Sequence, residues 1–176
     1  YGTFLDIGYS SSTNIFIQNY PSGANQYRVY MNGTSTQISE ASAANSNQWY
    51  HYALVRNGTT VTLYRNGLTS GSATFSTDLG SNVDIHIGKQ GSSYGLSGSY
   101  ISDFRIVKGT AVYTSNFTPP TSRLGWITGT VYQIQNAYDI YLNDTAAANS
   151  LKPFGNAATS TAQRKFTTSS SVYFDG

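Results

Sequence analysis

Three Asn-Gly pairs punctuate the first part of the chain, at 32–33, 57–58 and 66–67, and the last two are joined by a run of alternating apolar and polar residues. That combination constrains the fold more than any other feature. Both central residues of a type I′ turn need positive φ, which Asn and Gly tolerate, and such a turn lays one strand directly back on another. In WYHYALVRNGTTVTLYRNG (49–67), Trp49, His51, Ala53 and Val55 fall on one face, and Tyr50, Tyr52, Leu54 and Arg56 on the other. Beyond Asn57-Gly58, Val61, Leu63 and Arg65 alternate with Thr62 and Tyr64. The pattern predicts a hairpin with a third strand leaving it after Asn66-Gly67.

The same periodicity recurs along the chain. QYRVYM (26–31) precedes Asn32-Gly33 and a polar stretch to Ile38. VDIHIG (83–88) sets Val83, Ile85 and Ile87 against Asp84 and His86. SYISDFRIV (99–107) reads as one strand after the Gly/Ser-rich GKQGSSYGLSG, and Pro119-Pro120 marks a boundary. Residues 125–143 have room for one or two strands, residues 144–162 show weak helical potential around DTAAANSL, and SSSVYFDG (169–176) reads as a short apolar strand. Many short strands with frequent turn signals predict an all-β chain, an antiparallel sandwich or barrel.

Composition narrows the function classes. Charged residues make up 10% of the 176, against about 25% in ordinary soluble domains. Ser, Thr, Asn, Gly and 15 Tyr take their place, as on many extracellular or particle-surface β proteins. A net charge of +2 without a Lys/Arg cluster gives no electrostatic footprint for nucleic acid. The absence of cysteine excludes disulfides, thiolate zinc sites and cysteine nucleophiles. No apolar run approaches the ~18 residues of a membrane-inserted helix. A start at Tyr1 rather than Met suggests a processed product or a piece of something longer.

Each chemistry-bearing residue has a structural reading beside its functional one. His51, at an inward hairpin position, is expected to be a core residue with a hydrogen-bonded ring nitrogen. Gly91-Ser92-Ser93-Tyr94-Gly95 fits the G-x-S-x-G pattern, but that motif needs a helix after the turn and LSGSYISDF cannot supply one. Glycoside hydrolysis needs paired carboxylates. The one Glu, Glu40, lies in a polar stretch, and the Asp residues are scattered singly, so no catalytic residue is assigned. Calcium accepts oxygen ligands at no fixed spacing. No cofactor is required by the sequence, and Asp84, Asp103 or the region of Asp6 are the places where calcium would bind. The four N-x-S/T sequons, at Asn32, Asn57, Asn116 and Asn143, are about what chance gives with 14 Asn and 45 Ser or Thr. Tyr and Trp faces are how a β sandwich commonly holds sugar, which singles out Tyr94, Tyr100 and Trp126 as ligand candidates, with Tyr9 and Tyr20 also near turns.

Taken together, the W-x-H-x-A-L-V-R strand at 49–56, the L-Y-x-N-G hairpin at 63–67 and the run ISDFRIVKGTAVY ending at 113 resemble the laminin-G-like, concanavalin-A-like jelly-roll domain. The resemblance covers about residues 1–124 and is closest to the versions repeated in bacteriophage tail and bacterial surface proteins. It implies a two-sheet antiparallel β-sandwich that binds glycans or proteins, sometimes through a rim calcium. The glucanase relatives carry clustered acids on one strand; this chain lacks them. In the resembled family a segment like KFTTSSSVYFDG opens the domain, whereas here it stands at 165–176, after a connecting segment at 125–164. Three arrangements would explain that order: an excerpt of a tandem protein, a permuted sandwich, or a fibre in which Val172, Tyr173 and Phe174 complete a neighbouring subunit. The expected function is a non-enzymatic recognition or adhesion module of a virion appendage or cell surface. Its expected partners are a glycan or host-surface receptor and other copies or adjacent repeats. The alternative is a structural fibre subunit.

Overall fold

The structure, a computed structural model, describes residues 2–9, 13–20, 25–33, 36–81, 83–134, 157–167 and 170–175. Among the described residues there are thirteen strands, paired antiparallel, and no helix. The chain divides into two compact units, residues 1–96 with 113–119, and residues 97–112 with 120–176.

The first unit is a two-sheet sandwich. Strands β1 (Gly2–Ile7), β2 (Ile15–Tyr20), β3 (Gln26–Met31), β4 (Thr36–Ser39) and β8 (Ile85–Ile87) form a five-stranded sheet in the order β4-β3-β2-β1-β8. Strands β5 (Tyr52–Asn57), β6 (Thr60–Arg65) and β7 (Leu68–Thr74) form a three-stranded sheet in chain order. Side chains alternate along a strand, so Ile15, Ile17, Val29, Met31 and Ile38 share one face of the first sheet, all buried. Val61 and Leu63 are buried on the second sheet. The sheets meet where Gly71 of β7 leaves room for Ile38: a Cβ there would stand 2.7 Å from its methyl. Tyr52 bridges them as well, its ring 5.1 Å from Tyr27 and 6.3 Å from Phe4.

The hairpin turns are readable in the backbone. Asn66 (φ 52) and Gly67 (φ 79) both take the positive φ of a type I′ turn. Asn66 also clamps the hairpin mouth: its Oδ1 accepts the His51 N–H at 2.9 Å, and its N–H donates to the His51 carbonyl at 2.8 Å. The preceding turn is shifted by one residue from the sequence expectation. Asn57 still pairs with Thr60, so the two-residue loop is Gly58-Thr59, with positive φ at Gly58 alone. Gly at the first central position is the type II′ signature.

Pairing also corrects the face expected to point inward. Leu54 lies opposite Leu63, and Val55 opposite Thr62. Tyr52 and Leu54, both half-buried, therefore lie on the face that carries Leu63, while Ala53 and Val55 lie on the outer face with Thr62 and Tyr64. His51 precedes β5 and is not in the sandwich core; Phe117 and Tyr113 pack edge-on against its ring at 5.5 and 6.3 Å.

In the second unit, β12 (Ala158–Ser160), β13 (Ser171–Asp175) and β9 (Ser97–Ile101) form one sheet in the order β12-β13-β9, and β10 (Phe104–Val107) pairs with β11 (Thr130–Ile134). SYISDFRIV is thus two strands rather than one. Asp103 sits at φ 54 and breaks the ladder between β9 and β10. The sequence leaves three roles for the terminal strand: the opening of a further repeat, closure of the sandwich, or completion of a neighbouring subunit. Val172 pairs with both Thr159 and Ile101, and Tyr173 with both Ala158 and Tyr100, so β13 has in-chain partners on both edges. The helical potential near 144–151 and the part of the predicted strands beyond Ile134 lie outside the described residues.

Candidate functional site

Residues 113–119 of the first unit run across the outer face of the three-stranded sheet as a strap. The Phe117 N–H donates to the Gly67 carbonyl at 2.9 Å, and Asn116 Oδ1 accepts both the backbone N–H and the hydroxyl of Thr69. Phe117 stacks on Tyr113 at 3.6 Å with ring planes 6° apart, and meets Tyr64 edge-on at 5.5 Å. Only glycine fits beneath: a Cβ on Gly67 would lie 1.9 Å from the Phe117 carbonyl oxygen. Between strap and sheet lies an open cleft of about 200 Å³, lined by Val55, Asn57, Thr60, Thr62, Tyr64, Tyr113 and Thr114.

A second feature lies at the β1–β8 side of the same unit. The Tyr9 ring covers Gly91, where a Cβ would come within 2.2 Å of the ring, and stands edge-on to His86 at 5.9 Å. Tyr94, in the loop after β8, is 52% exposed and holds a left-handed φ of 53. Its carbonyl accepts the Thr3 N–H at 2.8 Å, which fixes that conformation to β1. The loop backbone that presents this exposed aromatic is therefore preorganised.

The remaining sequence candidates fall elsewhere. Tyr100 lies on β9 of the second unit, half-buried with its ring 4.9 Å from its cross-strand neighbour Tyr173. Trp126 is 52% exposed ahead of β11. Val172, Tyr173 and Phe174 are half-buried in β13. The side chain of Tyr20 lies outside the described residues, as does Asn143. Asp84 is exposed, and its carbonyl accepts the Gly8 N–H. Asp103 fits a calcium ligand poorly. Its oxygens accept from the Ser102 hydroxyl and the Leu124 N–H, and the Arg123 guanidinium stands 3.8 Å away. Among the described residues no three His, Asp or Glu side chains gather to hold a metal ion.

Two acids of the first unit, Glu40 and Asp6, are buried and paired. Glu40 is buried rather than in a polar loop: one carboxylate oxygen accepts the Tyr27 N–H at 2.7 Å and the other faces Arg65 at 3.4 Å. Asp6, fully buried, faces His86 Nδ1 at 3.3 Å. Burial raises the pKa of both carboxyls, against the opposing pull of the Tyr27 N–H and Arg65 on Glu40 and of His86 on Asp6. The G-x-S-x-G stretch is a tight loop in which Gln90 and Ser93 exchange backbone hydrogen bonds, and it leads to β9 rather than a helix. It is not a nucleophile elbow.

Residues 2–113, which hold the sandwich strands and the Asn66-Gly67 hairpin, fit one family model, described as the concanavalin A-like lectin/glucanases superfamily. The chain belongs to that superfamily. No curated protein and no solved structure matches it. Concanavalin A-like domains of the laminin-G kind are generally binding modules, found extracellularly or on surfaces, although the superfamily includes glucanases. Its membership suits a carbohydrate-binding or adhesion module. No helix among the described residues is long and apolar enough to cross a membrane.

The sequence did not point to the cleft. The alternation at 49–56 does not mark Asn57, Thr60, Thr62, Tyr113 and Thr114 as one ligand-facing group, because it reads the face carrying Ala53 and Val55 as inward. The signal was present: Val61 and Leu63 are the apolar members of β6, so their neighbours Thr60, Thr62 and Tyr64 belong outside.

Proposed function

We propose that the chain is a non-enzymatic glycan-recognition and adhesion module on a virion appendage or cell surface. The observation that carries this reading is Tyr94, an exposed aromatic ring fixed in a left-handed backbone conformation on a lectin-type sandwich. With the backbone of Tyr94 already fixed, its exposed ring stacks on the C–H face of a sugar without a cost for ordering the loop. Binding rather than hydrolysis is favoured by Asp6 and Glu40, whose carboxylates are buried against His86 and Arg65. The module needs no calcium on this reading, and Asp84 is the residue through which an ion would act.

The test is a glycan array probed with the wild-type chain and Tyr94→Ala, each in calcium and in EDTA. Wild-type binding that falls at least tenfold in the variant and survives EDTA is expected. Absence of any glycan signal in both buffers would sink the reading. The alternative, a fibre subunit built by strand exchange, requires β13 to give up the partners it has on both edges.

A further inference from the structure

We infer that the cleft under the 113–119 strap is a second binding site, distinct from the Tyr94 loop, and that it takes a single uncharged saccharide residue. Its ligand class rests on the glycan reading; its location does not. Three observations lead there.

The lining is neutral throughout: Val55, Asn57, Thr60, Thr62, Tyr64, Tyr113 and Thr114. The guanidinium adjoining it in sequence is engaged elsewhere. Arg56 donates to the carbonyls of Gly58 and Thr77 and lies over the Phe75 ring at 5.2 Å. An anionic sugar entering the cleft would lose hydration without gaining a cation, which is costly. An uncharged sugar would not.

Polar capacity is present and only partly spent. Thr62 shares a hydrogen bond with the Ser72 hydroxyl at 2.9 Å. The side chains of Asn57, Thr60 and Thr114 are engaged in no side-chain hydrogen bond among the described residues. Hydroxyls and an amide that both donate and accept match the vicinal hydroxyls of a sugar, while Val55 and the Tyr rings offer apolar surface to its C–H groups.

The walls are fixed before a ligand arrives. One wall is the β5–β6 hairpin. The other is the strap, pinned at Gly67 by a backbone hydrogen bond, at Thr69 by Asn116, and by the stacked Tyr113–Phe117 pair. A cleft of about 200 Å³ between two fixed walls suits one sugar ring rather than a chain of them.

The experiment is an NMR titration of the ¹⁵N-labelled chain with methyl glucoside, methyl galactoside and N-acetylglucosamine, and with glucuronate and N-acetylneuraminate as charged controls. A neutral sugar should shift the amides of residues 55–64 and 113–114 saturably, unchanged by EDTA or by raised salt, with the acids at least tenfold weaker. Thr62→Phe, which fills the cleft, should weaken that binding at least tenfold and leave shifts near Tyr94 intact. If Thr62→Phe does not fold, Thr60→Val, at an exposed position, is the substitute and should weaken binding severalfold. Shifts confined to the Tyr94 loop would overturn the cleft and keep the glycan reading. Equal binding of the acids would overturn the assignment to uncharged sugars. No shift with any of the five would overturn the proposal, and a silent glycan array beside it would remove the broader reading too.

Discussion

Glu40 and Arg65 meet across the two sheets of the first unit, with a guanidinium nitrogen 3.4 Å from a carboxylate oxygen. Glu40 directly follows β4 of one sheet, and Arg65 ends β6 of the other. Arg65 extends the link by donating to the carbonyl and hydroxyl of Ser42 and lying over the Tyr50 ring at 5.5 Å. Tyr52 lies between Tyr27, Phe4 and Tyr50, and burial with the nearby Glu40 charge keeps its hydroxyl protonated. This end of the sandwich is fastened by one buried charge and its ring of partners.

The pair is asymmetric under mutation. Arg65→Met leaves Glu40 charged and buried without its counter-ion, a loss of about 3 kcal/mol. Glu40→Gln keeps an acceptor for the Tyr27 N–H and removes the buried charge, so it should cost about 1 kcal/mol or less. Urea unfolding of both variants measures the difference. Equal losses would show that the charge is not what the arginine serves.

Acid should stabilise this chain over part of its range. Burial raises the carboxyls of Asp6, Glu40 and Asp103 above the 3.8 and 4.5 expected of free Asp and Glu. A group whose folded pKa is raised holds its proton more tightly when folded. Its contribution is complete below the unfolded pKa and is lost as pH rises through the folded value. Melting temperature should therefore increase as pH is lowered from 7 toward about 4, and the increase should shrink in Asp6→Asn and in Glu40→Gln. A steady fall in Tm over that interval would contradict the assignment.

Two glycines with similar backbones should respond differently to alanine. Gly58 (φ 61) faces open space, so Gly58→Ala meets only the left-handed penalty, about 1–2 kcal/mol. Gly67 (φ 79) lies under the strap, and a Cβ there would overlap the Phe117 carbonyl. Gly67→Ala should cost about 3 kcal/mol or more, because the strap must lift as well. Lifting should also expose Tyr64, which near-UV circular dichroism would register. Equal costs at the two positions would mean that the strap yields freely.

The sequence was most legible where one residue type has one physical use. Asn66-Gly67 made its turn because little else tolerates two successive positive φ values. Alternation located β6 because a strand covered on one face buries every second residue, here Val61 and Leu63 beside the less buried Thr60 and Thr62. It misled where a side chain's meaning depends on something distant. Glu40 read as a solvated loop acid because its partner is 25 residues away on another sheet. SYISDFRIV read as one strand because nothing in its pattern shows that Asp103 turns the chain at φ 54. The cleft was hidden for a similar reason: its far wall comes from Tyr113 and Thr114, about fifty residues beyond its floor.

The terminal strand supports a last prediction. Tyr173 is opposite Tyr100 on β9 and Ala158 on β12, so no row of free backbone groups is left along β13 at that point to recruit another chain. Exchange would first require breaking both ladders, at a cost not recovered until a neighbour supplies equivalent ones. Light scattering over a concentration series should therefore give the mass of one chain throughout. Phe174→Asp, which charges a half-buried β13 position, should lower stability by about 1–3 kcal/mol without changing that mass. If mass instead grows with concentration in the wild type and the substitution abolishes the growth, β13 leaves its own sheet, and the fibre reading displaces the closed module.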